Sequence, residues 1–144
     1  MLASGGDDKL VMIWKKSAYG GGQIFGSKLK QVESWKLDKT LRGHEGDVLD
    51  LAWGPGDALL ATASVDNNVV IWNAERFPDQ VRILRGHTGL VKGVVFDPVG
   101  KYLASQSDDK TLRIWKTEDW STEVVIKVSL LFSQLFKISD YALV

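Results

Sequence analysis

Apolar and polar positions along this chain fall into short blocks. Val69-Val70-Ile71-Trp72 is apolar at every position, and the turn-like Asp66-Asn67-Asn68 stands just before it. A half-buried strand alternates apolar and polar residues. A short unbroken run behind a turn signal predicts a strand that is dry on both faces. Blocks of this length predict strands over 48–53 (VLDLAW), 59–64 (LLATAS), 69–73 (VVIWN), 91–96 (VKGVVF), 102–107 and 111–116. A further strand ends at Leu84, in QVRIL. Between the first two strands of each group lies GPGDA or DPVGK, where an early Pro and a nearby Gly suit a tight turn. Val65–Asn67 and Asp108–Lys110 predict the next turn. Each group thus reads as a four-stranded antiparallel meander.

The groups are copies of one another. At an offset of 43, Gly43-His44 maps to Gly86-His87, Val48 to Val91, Trp53 to Phe96 and Pro55 to Pro98. The same offset of 43 carries Leu60-Ala61-Thr62 to Leu103-Ala104-Ser105, Asp66 to Asp109 and Trp72 to Trp115. Leu2, Ala3, Ser4, Asp8 and Trp14 form an earlier partial copy at an offset of 58, with 15 extra residues between Trp14 and Gly43. One meander cannot bury both of its faces, so the copies must stack on each other.

A repeat of this length with Gly-His near one end and Trp near the other resembles the blades of WD40 propellers. His44 to Trp72 and His87 to Trp115 each span 28 residues. The Asp that ends the usual Trp-Asp pair is replaced by Lys15, Asn73 and Lys116. The resemblance implies an all-β fold, a partial WD40 β-propeller of about two and a half four-stranded antiparallel blades. The expected units are a partial blade over 1–41 with a Gly-rich loop inserted at about 15–33, blade regions over 42–84 and 85–127, and a non-repeat tail over 128–144. It also implies two structural tetrads, His44, Thr62, Asp66, Trp72 and His87, Ser105, Asp109, Trp115, and a set without its histidine, Ser4, Asp8 and Trp14. A buried carboxylate needs donors, which an imidazole and turn amides can supply. A hydroxyl can bridge the imidazole and the indole. Trp72 closes its strand because it has to reach that network.

Other chemistry is weighed against these assignments. The Asp7-Asp8 and Asp108-Asp109 pairs could suggest general acid–base work, but one Asp of each has a structural post. Two histidines a blade apart, with no cysteine, make a poor metal site. GGGQIFGSK has Gly26-Ser27-Lys28 where a phosphate loop needs Gly-Lys-Ser/Thr, and reads as an inserted loop. No spare histidine is left to activate a serine. The reading is therefore non-enzymatic, with no cofactor and no metal.

Composition narrows the partners. Net charge is zero, so no broad pull toward nucleic acid or anionic lipid is expected. There are no cysteines, which removes disulfide scaffolds, zinc ribbons and thiol catalysis. MLASGGDD is neither a signal nor a transit peptide, and no apolar run reaches the ~18 residues of a membrane span. These features predict an intracellular soluble protein, with no membrane partner.

Finer wording goes beyond what a blade requires. Ser64-Val65-Asp66-Asn67, Phe77-Pro78, Gly89-Leu90-Val91-Lys92-Gly93, Asp97-Pro98-Val99-Gly100-Lys101-Tyr102, Ala104-Ser105-Gln106 and Asp119-Trp120 resemble the HIRA family of histone-chaperone scaffolds. So does the insertion with Phe25-Gly26-Ser27 and Val32-Glu33-Ser34-Trp35. The resemblance covers residues 1 to about 127. It implies a nuclear protein that scaffolds replication-independent nucleosome assembly, with effects on transcription. The family's propeller docks a subunit of the ubinuclein type, so histone H3–H4 is an indirect partner. Direct nucleic-acid binding is not expected.

By the same resemblance, docking falls to the loops beside the tetrads, at Asp7, Glu45, Asp47, Val65, Thr88, Leu90 and Asp108. Val65 and Leu90 are favoured as apolar anchors. Trp35 and Trp120 lie outside the tetrads and are expected to pack at sheet edges. The chain opens inside a blade, and residues 128–144 carry no blade signature. A truncated product, poorly soluble alone, is therefore expected, and a non-functional fragment is one alternative reading. A general WD40 adaptor, in a ubiquitin-ligase or RNA-processing complex, is the other.

Overall fold

The computed structural model describes residues 1–17 and 34–127. The described part is all-β, as expected. A three-stranded sheet contains β1 (Leu2–Gly5), β2 (Leu10–Lys16) and β3 (Trp35–Arg42). The middle, four-stranded sheet contains β4 (Val48–Trp53), β5 (Leu59–Ser64), β6 (Val69–Asn73) and β7 (Gln80–Leu84). The third, also four-stranded, contains β8 (Val91–Phe96), β9 (Tyr102–Ser107), β10 (Thr111–Lys116) and β11 (Thr122–Lys127). All neighbouring strands run antiparallel in sequence order. Among the described residues the one helical turn is a 3-10 turn at Pro55–Asp57, where Gly56 takes a φ of 72°. The inserted loop falls between β2 and β3. Its residues 18–33, and the tail 128–144, lie outside the described residues. The backbone N–H of Ser17 donates to the carbonyl of Ser34 at 2.7 Å, so the described flanks of the insertion meet.

The sheets stack face to face as blades of a partial propeller, and β6 shows why its sequence has no polar position. Val70 and Trp72 point to one side, into a core with Val11, Ile13 and Leu41 of the first sheet. Val69 and Ile71 point to the other, against Val91, Val94, Phe96, Leu103 and Trp115 of the third. Fully burying one such side chain is worth roughly 1.5–3 kcal/mol. Hydrogen bonds also cross between sheets, among them the Gln80 side-chain N–H to Arg42 O at 3.3 Å. Val48 N–H donates to Gly6 O at 3.0 Å, and Val94 N–H donates to the Asp50 carboxylate at 2.9 Å.

Every sheet has a β-bulge at the same place. Pairing shifts between Ile13 and Trp14, between Ile71 and Trp72, and between Ile114 and Trp115. In each case the outermost strand carries one extra residue: Asp38, Val81 or Glu123. Lys15 pairs with Asp38 at 3.0 Å and Lys116 with Glu123 at 2.7 Å. In the middle sheet Asn73 instead accepts the backbone N–H groups of Glu75 and Arg76. The residues standing where the usual Asp would be are thus engaged locally with the bulge or the turn after it.

Candidate interaction rim and the networks beneath it

Two hydrogen-bond networks hold the ends of the middle and third sheets. His44 Nδ1 lies 2.8 Å from Asp66 Oδ2, and His44 Nε2 lies 2.8 Å from Thr62 Oγ1. Trp72 Nε1–H donates to Thr62 Oγ1 at 3.0 Å. The carboxylate only accepts, so Nδ1 carries the imidazole proton. Nε2 is then an acceptor and receives the Thr62 hydroxyl proton. The chain of donors runs from indole to hydroxyl to imidazole to carboxylate. In the third sheet His87, Ser105, Asp109 and Trp115 repeat it, at 2.8 Å for both His87 contacts and 2.9 Å for Trp115 to Ser105. Both imidazoles are 1% exposed, which leaves neither open to a substrate.

The turns finish the carboxylates' coordination. Asp66 also accepts the backbone N–H groups of Glu45 and Asn68, each at 2.9 Å. Asp109 accepts those of Thr88 and Thr111 and the Thr111 hydroxyl. Burial opposes the charge on Asp66. The N–H of Glu45, the ring of His44 and the N–H of Asn68 outweigh it, and the carboxyl sits below its ordinary range. At Asp109 burial is likewise overcome, by Thr111, Thr88 and His87, and its pKa is strongly lowered. Burial pushes His87 below its ordinary value, against the pull of Asp109, and keeps the ring neutral.

The Gly before each histidine has a steric reason. A Cβ on Gly43 would lie 2.7 Å from Trp72 Cη2, so the indole packs on bare backbone. Gly86 sits against Arg113 and Trp115 with a φ of 156°.

The first sheet assembles less. Trp14 Nε1–H donates to Ser4 Oγ at 3.0 Å, and Asp8 accepts Leu10 N–H at 3.1 Å, but these are two separate contacts. Ser4 and Asp8 are exposed.

The seven rim positions gather at one end of the sheets. Val65 N–H donates to Asp47 O, and Asp108 N–H to Leu90 O, each at 3.0 Å. Each pair ties the loop before a sheet to the hairpin inside it. Asp7 follows Gly6, whose carbonyl holds Val48. Asp7, Glu45, Thr88 and Asp108 are exposed, whereas Asp47, Val65 and Leu90 are half-buried. Asp108 is ion-paired with Lys92. Trp120 packs on the core between the second and third sheets, while Trp35 is 40% exposed at the start of β3.

Sequence reasoning missed several contributors. Ser64 and Ser107 accept the N–H groups of Asp66 and Asp109, and Ser107 also donates to Gly89 O. Both serines lie on the repeat offset, two residues before the Asp, and that signal could have found them. Asp50 has Gly93 at its repeat position, so no repetition pointed to its bond to Val94.

With this geometry in view, the comparisons with known proteins fall into place. The CAF1B/HIR1 beta-propeller domain matches residues 1–137. Protein HIRA of Gallus gallus is 60% identical over 81 residues, 54% of this chain and 8% of that protein. Protein HIRA of Homo sapiens is 59% identical over 81 residues, again 54% of this chain and 8% of that protein. Protein HIR1 of Mycosarcoma maydis is 50% identical over 83 residues, 57% of this chain and 8% of that protein. The matching segment therefore spans under a tenth of these relatives' length. Blades, networks and matched span together show that the chain belongs to the CAF1B/HIR1 beta-propeller family.

Proposed function

We propose that this chain is a non-enzymatic interaction scaffold of a histone-chaperone complex, acting in the nucleus in replication-independent nucleosome assembly and transcription regulation. Its rim docks a protein subunit of the ubinuclein type, and histone H3–H4 is reached through the complex rather than directly. The repeat units 42–84 and 85–127 each supply one network and one pair of rim loops. The observation that carries the reading is the 60% identity with Protein HIRA over 81 residues, supported by rim loops locked onto the network carboxylates. Fixed loops present side chains with little ordering cost, which suits a docking surface.

The test is co-purification of the tagged full chain from nuclear extract. Ubinuclein-type subunits are expected to be captured, and to be lost with Glu45→Lys plus Thr88→Arg, two exposed rim changes. Recovery of ubiquitin-ligase or RNA-processing subunits in their place would overturn the reading.

A further inference from the structure

A groove of about 570 Å³ runs along the outer strand β7. It is lined by Gln80 to Arg85 on one side and by Trp115 and Trp120 on the other. It lies between the second and third sheets. β7 is hydrogen-bonded to β6 and, among the described residues, has no strand on its other side. Val81, the extra residue of the bulge, is 43% exposed and lines the groove.

Charge in the groove is one-sided. Arg82 and Arg85 line it, are exposed, and form no ion pair among the described residues. On the third sheet Arg113, outside the lining, has its guanidinium 5.9 Å from the Trp115 ring and against Gly86, with its Nε buried and without an acceptor. No lining residue is acidic. In a chain of zero net charge, the two guanidinium groups of Arg82 and Arg85 beside two indoles form a local feature, not a general basic surface.

We propose that this groove docks an extended acidic peptide segment of a partner protein. From Gln80 to Arg85 the strand measures roughly 16 Å at ~3.3 Å per residue, the reach of about five extended residues. Carboxylates along such a segment meet Arg82 and Arg85, and apolar side chains between them rest on Val81 and Trp120. Arg suits this task because its planar fork binds carboxylates in two-point fashion. Comparison with an oligothymidylate separates this occupant from a nucleic-acid strand of the same charge. The inference rests on no part of the rim reading, and either can fail alone.

The test is fluorescence anisotropy with a labelled peptide alternating Glu and Val, titrated with the full chain. The same peptide with Gln for Glu, and an oligothymidylate of equal charge, serve as comparisons. The Glu peptide is expected to bind at least about tenfold more tightly than either. Arg82→Glu plus Arg85→Glu is expected to weaken it about tenfold or more, while Arg76→Glu, an exposed reversal outside the groove, leaves it within about twofold. Absence of binding, equal binding of the Gln peptide or the oligothymidylate, indifference to the double reversal, or an equal loss in Arg76→Glu would each overturn the proposal.

Discussion

Strands β6 and β10 occupy the same place in adjacent sheets, with the same bulge and the same Trp-to-hydroxyl bond. Their surroundings differ. Val69, Val70, Ile71 and Trp72 are all at most 1% exposed, whereas on β10 Trp115 alone is buried and Leu112, Arg113 and Ile114 are half-buried. The first sheet shows the reverse side of the same contrast. Trp14 lies on the face turned away from the second sheet and is half-buried, though it bonds Ser4 as Trp72 bonds Thr62. Hydrogen bonds inside a blade are therefore a property of the blade, and dryness is a property of the stack.

The sharpest way to break that comparison is to put one charge on each strand. Ile71→Lys is expected to abolish cooperative folding, because an unpaired charge cannot be buried there. Ile114→Lys is expected to keep the fold, by circular dichroism, and to raise solubility. Equal damage from both would show that the outer face of the third sheet is packed as tightly as the middle sheet. Next in size is removal of the indoles. Trp72→Ala should cost about 3–5 kcal/mol in urea unfolding, and Trp14→Ala clearly less, because a half-exposed ring leaves no closed cavity. Network changes follow. Thr62→Val strands the Trp72 N–H and His44 Nε2 and should cost about 1–3 kcal/mol. Ser4→Ala, at an exposed position, should stay within about 0.5 kcal/mol.

Acid offers a graded test of the same networks. His87 is lowered from its ordinary value of 6.5, so the unfolded chain takes up its proton first. Stability is then complete above about pH 6.5 and declines as pH falls toward the folded value. Asp66 and Asp109 are lowered from 3.8, so their contribution is complete above that value and is lost as pH falls below it. Thermal midpoints should fall in two stages on acidification, and His87→Gln should remove the upper stage. A midpoint unchanged between pH 7.5 and 5 would contradict the neutral, buried ring. The smallest effect concerns the hairpin turns. Lys110 has a φ of 65° where the middle sheet has Asn67 at 71°. Asn tolerates that region better than Lys. Lys110→Asn should stabilise by about 0.5–1 kcal/mol.

Repetition made the strands legible. Strands over 48–53, 59–64, 69–73, 91–96, 102–107 and 111–116 follow from apolar blocks that recur at one interval, and the structure has strands with those limits. The four residues that meet in each network also recur at that interval, and an interval is visible in a sequence. The bulges were not, because Val81 and Glu123 do not share the repeat offset and their role appears only across a strand pair. Arg113 was hidden for a related reason. Its repeat position holds Val70, and nothing in the local pattern says that one faces the first sheet and the other the second.

The bond between Ser17 and Ser34 bears on how such a domain tolerates change. The detour between β2 and β3 leaves and returns at a pinned gate, so register on either side is set by the strands and not by what is spliced in. Ring-closure entropy grows only with the logarithm of loop length. A repeat can thus lengthen there by many residues at small thermodynamic cost, and an engineered tag placed at the same gate should leave the neighbouring strands undisturbed.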